Sequence, residues 1–209
     1  MERETHDPSQ PIVSALPYAG DVRRRVVDMK YGGRRSFARE LARQLADAVR
    51  TDAIRTGVDG TIDVVTWAPT SSSRRRRRGF DQAAVIARHV ARELGVPCRR
   101  LLVRESRAAQ TGRSRVARLA GPRFRALHTR RPRRVLVVDD VVTTGATLRA
   151  AAHALTASGW GDVTLAAVAS TPRGNVESAH RRPNVVIRPR TTTRVQRPTS
   201  DRTRSMAGL

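Results

Sequence analysis

Two adjacent carboxylates, Asp139 and Asp140, follow the apolar run Val135–Val138. After Val141 and Val142 come Thr143, Thr144, Gly145, Ala146 and Thr147. In a parallel α/β sheet, ligands gather at the carboxyl ends of the strands, which is where these acids fall. A helix that opens in the Thr-Gly stretch offers unpaired backbone N–H groups and the positive end of its dipole, and both favour a phosphate. Three threonine hydroxyls add donors. Gly145 lets the backbone approach without a Cβ in the way. The carboxylates accept hydrogen bonds, so they suit sugar hydroxyls beside that phosphate. The segment has the chemistry to hold a phosphorylated pentose. The plainer reading is a turn and a helix start, since Asp and Thr are also ordinary capping residues.

The elements that would position this segment are legible as an alternation of strands and helices. Ile12–Leu16 reads as a short strand or extended lead-in, and Val22–Met29 has helical spacing. Ser36 opens a helix whose Phe37, Leu41, Leu45 and Val49 recur every fourth residue. A polar loop is expected over 51–60. A strand over Ile62–Trp67 stops at Pro69, and the Arg-rich stretch after it reads as a loop. A second helix carries the stripe Ala83, Ile86, Ala87, Val90, Ala91 and Leu94, and Gly95 and Pro97 end it. Arg100–Val103 is a further short strand. Residues 104–131 read as a long loop or hairpin, the kind of segment that serves function in a compact domain. The continuous apolar run Val135–Val138 is a buried strand. A helix then carries Leu148, Ala151, Ala152 and Leu155 on one face, and Val163–Val168 is the last strand. The pattern predicts an α/β fold with a mostly parallel sheet flanked by helices. The expected organisation is a disordered lead over 1–11, a domain over 12–172, and a basic, disordered tail over 173–209.

Composition sets the outer bounds. The chain has 209 residues and one cysteine, Cys98, which rules out an internal disulfide or a Cys-rich zinc site. The opening residues have no apolar stretch of the kind that directs secretion, and no run approaches a membrane span, so a cytoplasmic protein without membrane contact is expected. The formal net charge is +23, and Lys30 is the only lysine. Two readings of the arginine excess stand side by side. It reflects base composition alone, or it makes a field that gathers polyanions. His89 and His153 read as surface or packing residues, Cys98 as a small apolar filler, and Trp67 and Trp160 as packing.

The Asp-Asp, Thr-Thr-Gly-x-Thr segment resembles the phosphoribosyl-diphosphate (PRPP) motif of type I phosphoribosyltransferases. Lys30–Ala42 and the Arg-Gly-Phe-Asp-Gln-Ala stretch at Arg78–Ala83 resemble the ComF family, which is associated with DNA uptake and competence. The resemblance covers roughly residues 12–172. It implies a Rossmann-like fold with a flexible hood loop. The substrate would be PRPP, its Mg²⁺ would be carried mainly by the diphosphate rather than by protein ligands, and an unidentified nitrogenous base would be the acceptor. By the same resemblance Asp139 and Asp140 bind the ribose hydroxyls and are the catalytic candidates. Thr143, Thr144, Gly145, Ala146 and Thr147 take the 5′-phosphate. Ala68, Pro69, Thr70 and Ser71, with Arg78, face the pyrophosphate, and the run Arg74–Arg78 supplies charge for it.

The hood would span 104–124. Of the family's hood pattern, Gln110, Ser114 and Arg118 fit, whereas Arg107, Ala117 and Gly121 replace Thr, Glu and Asn. Arg107, Arg113 and Arg115 are further candidates for the leaving group. Asp81 stands where the family has Asn. The four-cysteine zinc module of many relatives has no counterpart in this sequence. These departures concern acceptor binding and closure more than PRPP binding. The alternative function is a non-catalytic module on the same fold that contacts single-stranded DNA or a helicase partner, although aromatic residues for base stacking make up only 3% of the chain.

Overall fold

The computed structural model describes residues 10–31, 36–57, 61–105, 122–129 and 133–171. Four strands form one parallel sheet: β1 (Ile12–Pro17), β2 (Val64–Trp67), β5 (Val135–Val142) and β6 (Val163–Ser170), in the order β1-β6-β5-β2. Two short strands, β3 (Leu102–Arg104) and β4 (Phe124–Ala126), make a separate antiparallel pair. The helices are α1 (Gly20–Tyr31), α2 (Ser36–Thr56), α3 (Ser72–Arg78), α4 (Gln82–Leu94) and α5 (Ala146–Ala157). The α/β expectation, a mostly parallel sheet flanked by helices, holds.

The central strands show why the sheet forms. Side chains alternate across a strand with period two, so a run of apolar residues can face two cores at once. In β2, β5 and β6, Val65, Trp67, Leu136, Val138, Ala166 and Val168 pack against α1, α2 and α4. Val64, Val135, Val137, Leu165 and Ala167 face the other way, against α5 and the β3–β4 pair. Leu41, Leu45, Ile86 and Val90 carry the helices onto the first face at helical spacing, and Leu148 and Leu155 do so on the second.

Several boundaries shift by one or two residues from the sequence reading, and three differences are larger. The polar loop expected over 51–60 is helix as far as Thr56. Its polar residues form an outward face laced by Arg50–Asp47 and Arg55–Asp52 pairs one turn apart, and only Gly57, at φ +65°, ends it. The Arg-rich loop after Pro69 contains α3, which Ser71 caps by accepting the Arg74 N–H and Gly79 closes in a left-handed conformation. Strand β5 runs four residues past the expected Val138. Register with β6 continues through Asp139↔Ala167, Val141↔Ala169 and Val142↔Ser170. The acids therefore belong to the strand and are held by its ladder.

Among the described residues no helix is long and apolar enough to cross a membrane. The expected hood residues Arg107, Gln110, Arg113, Ser114 and Arg118 lie outside the described residues, as do the 173–209 tail and nearly all of the 1–11 lead.

Candidate functional site

The carboxyl ends of β2 and β5 open into one cleft of about 360 Å³. Asp139, Asp140, Thr143 and Thr147 line one side of it, and Ala68, Pro69, Thr70 and Arg78 line another. These residues are distant in sequence, and parallel pairing brings them together. Val64–Trp67 aligns with Val135–Val138, and the Ala68 N–H still donates to Val138 O at 3.1 Å. The structure adds residues that sequence spacing did not offer: Tyr18, Lys30, Arg104 and Thr171 also line the cleft. Lys30 is the single lysine of the chain and opens the stretch that resembles the ComF family, and Arg104 opens the expected hood, but no spacing ties any of the four to the acids.

The two acids hold distinct positions. Asp139 Oδ1 accepts the Asp140 N–H at 2.8 Å, and Asp140 Oδ1 accepts the Val141 N–H at 2.7 Å. Asp140 Oδ2 pairs with Lys30 Nζ at 2.8 Å. Burial, and next the charge of Asp140, holds the Asp139 carboxyl well above the usual carboxylate range, while the Asp140 N–H and Lys30 pull against that rise. A group so placed gains when hydrogen-bond donors arrive.

After β5 the chain turns through Thr143 and Thr144 into α5. Gly145 caps that helix at φ +78°, and a Cβ there would lie 2.6 Å from Ile12 Cδ1 and against the Arg149 guanidinium. The backbone angle favours glycine, and an added side chain would also have to displace the flexible ends of Ile12 and Arg149. Thr144 Oγ1 accepts the Ala146 N–H at 3.3 Å, and Arg149 donates to Thr144 O at 2.8 Å. Thr144, Gly145 and Ala146 complete the turn between Thr143 and Thr147 and do not themselves line the cleft.

On the opposite wall, Asp81 precedes α4 without capping it. Its Oδ2 instead accepts the Thr70 N–H at 3.1 Å and ties the 68–71 loop to the helix start. Its Oδ1 makes no hydrogen bond of proper geometry, although the Ala84 amide and the Trp67 indole lie near enough to offset part of the desolvation. Burial raises the pKa of this carboxyl. Arg78 donates to Gln82 Oε1 at 3.0 Å and to the Tyr31 hydroxyl at 2.9 Å, with its guanidinium 5.0 Å from the Tyr31 ring centre. The Arg78 bond and charge lower the Tyr31 pKa. Gln82 is 2% exposed, and its Nε2 has no partner among the described residues, nor does Arg78 Nε. Buried donors without partners are costly in a finished core and ordinary in a site that awaits a ligand.

A second, larger cleft of about 1230 Å³ adjoins the first. Ser71 lines it, and Pro69, Thr70, Arg74, Asp81 and Arg104 line both. The β3–β4 pair borders it: the Glu105 N–H donates to Arg123 O at 3.0 Å, and Arg104 and Glu105 line this cleft.

The structure is that of an α/β protein with an open parallel sheet and a polar cleft at its carboxyl edge, where the acids of β5 stand beside a glycine-capped helix start. The chain belongs to the phosphoribosyl transferase domain family, whose signature matches residues 81–188, a little over half of the sequence. No curated protein matches it. Among solved structures, it is similar to a hypothetical protein from Neisseria gonorrhoeae with bound ppGpp, at 13% identity and a TM-score of 0.40, over 69% of this chain and 74% of that one.

Proposed function

We propose that the protein binds 5-phosphoribosyl 1-diphosphate in the smaller cleft and transfers the phosphoribosyl group to a nitrogenous base. The observation that carries this reading is the meeting of Asp139 and Asp140 with the Gly145 turn on one side and the 68–71 loop on the other. Thr143 and Thr147, which line the cleft, and the turn through Thr144, Gly145 and Ala146 that joins them take the 5′-phosphate. Asp139 and Asp140 accept the 2′- and 3′-hydroxyls. The Ala68–Ser71 loop faces the diphosphate, with Arg78 and Arg74 as its cations. In the reaction, a lone pair on the acceptor nitrogen forms the bond to ribose C1, the C1–O bond to diphosphate breaks, and its electrons leave with the diphosphate. Arginine charge stabilises that leaving group.

Carboxylate oxygens are the right donor type for Mg²⁺, but Asp140 Oδ2 is already engaged by Lys30. The donor set therefore fits an ion that would arrive on the diphosphate and be held mainly by its oxygens. When bound, the ion neutralises the leaving diphosphate.

The finer assignment, to the ComF family with its link to DNA uptake, belongs to the same proposal and rests on Lys30–Ala42 and Arg78–Ala83. So do residues 12–172 as the catalytic domain, a cytoplasmic location, and the non-catalytic reading with single-stranded DNA or a helicase as partner. The test is calorimetric titration of PRPP with and without Mg²⁺ at about 150 mM salt. Ribose 5-phosphate and pyrophosphate serve as controls. Micromolar, Mg-dependent binding that prefers PRPP supports the reading. Equal binding of every polyanion refutes it.

A further inference from the structure

Two groups of arginines among the described residues differ in their surroundings. Along α1 and α2, Arg24, Arg25, Arg43, Arg50 and Arg55 each have a carboxylate one turn away. Such exposed pairs neutralise charge and contribute little else. Around the larger cleft the pattern reverses. Arg74, Arg75 and Arg76 of α3, Arg88 of α4, and Arg100 and Arg104 at β3 converge on it from three directions. Among the described residues, Arg74, Arg75, Arg76, Arg88 and Arg100 have no carboxylate within ion-pair distance. Asp81 and Glu105 are the acids that line the cleft, against six arginines. Unpaired arginines also lie elsewhere on the described surface, Arg23, Arg39 and Arg92 among them. What sets the larger cleft apart is convergence: six arginines meet in one concave site that also has an apolar side.

The cleft is not purely ionic. Trp67, Phe80, Pro69, Ala84 and Val85 supply an apolar side to it. An inorganic anion would leave that surface against water. A planar ring that bears negative charge would cover it and meet the guanidinium groups, which favour carboxylate and phosphate oxygens in paired bonds.

We propose that the larger cleft is a second anion subsite, and that the acceptor it takes is an unsaturated ring carrying a carboxylate or phosphate group. Calling its occupant the acceptor rests on the PRPP reading of the smaller cleft, with which it shares Pro69, Thr70, Arg74, Asp81 and Arg104. Arg88 and Arg100 line only the larger cleft and so separate the two sites.

The experiment uses the full chain at about 150 mM salt. The probes are benzene-1,2-dicarboxylate for ring carboxylates, phenyl phosphate for ring phosphates, and benzamide as the neutral ring. Each is titrated alone and after saturation with PRPP and Mg²⁺. At least one anionic ring binds about tenfold or more tighter than benzamide, as one charge-assisted contact allows. Which of the two prevails names the source of the charge. In the double variant Arg88→Gln with Arg100→Gln the preference disappears, while PRPP affinity stays within about twofold of the parent. Single variants give the same result in smaller steps if the pair folds poorly. Equal binding of neutral and anionic rings, with PRPP bound normally, overturns the anion subsite alone. PRPP affinity that falls together with probe affinity also overturns it, because the arginines then serve the diphosphate. Anionic rings that bind where PRPP does not would overturn the acceptor assignment together with the proposed function. A single-stranded oligonucleotide that displaces every small probe overturns it in favour of a strand-binding groove.

Discussion

Lys30 Nζ lies 2.8 Å from Asp140 Oδ2, with the two side chains 16% and 15% exposed. The pair joins α1 to β5, so the first helix is tied directly to the acid pair that lines the cleft. Removing one partner of a shielded pair strands the other charge. Lys30→Met is expected to cost roughly 1–3 kcal/mol in chemical denaturation. Because Lys30 also opposes the rise in the Asp139 pKa, the pH at which PRPP binding is half lost should move upward in the variant. An unchanged pH profile would show that Lys30 does not govern the acid pair.

Asp139→Asn combined with Asp140→Asn removes both acceptors for the ribose hydroxyls. PRPP binding should fall below detection while far-UV circular dichroism remains that of the parent. Retained affinity in a folded double variant would refute the site.

Asp139 also makes a prediction about stability. Its proton is held to a higher pH in the native state than in the unfolded chain. Between the ordinary carboxylate pKa and the native one, the native state binds more protons, so stability falls as pH rises through that window. Above the window the charged form carries its full cost. Asp139→Asn, which keeps an oxygen for the Asp140 N–H, is therefore expected to raise Tm at pH 7. The advantage should close as pH falls towards about 4, the ordinary carboxylate range. A Tm equal to the parent's at both ends would show that the buried charge costs nothing.

Gly145→Ala confronts a positive φ together with contacts to Ile12 and Arg149. A cost of about 1–3 kcal/mol is expected, and ribose 5-phosphate should bind more weakly than to the parent. Gly95→Ala is a useful control. Its φ is +73° but nothing lies within 4 Å of the added Cβ, so it tests strain without the clash and lies away from the cleft.

The sequence made the β5–α5 segment legible because apolar run, acids and glycine are contiguous, and each has a local physical reason. The same holds for the buried stripes of α2 and α4. What stayed hidden depended on partners far along the chain. The polar face of α2 past Val49 resembles a loop until its i,i+3 pairs are seen. The β5 acids look like a strand end until β6 is found beside them. Five consecutive arginines suggest a solvated loop, and the cap by Ser71 and the closure at Gly79 make them a helix. Tyr18, Lys30, Arg104 and Thr171 reach the cleft only through tertiary placement, and no spacing rule links them to Asp139.

The Lys30–Asp140 pair has a practical side. A chain with one lysine carries, apart from its α-amino group, one amine, and here that amine stands in the cleft. Acylating reagents that decorate most proteins at random would act on this one almost as an affinity label. The rate at which Lys30 is modified then becomes a gauge of whether the cleft is open or filled. The arginine-rich surface, inert to the same reagents, supplies a silent background.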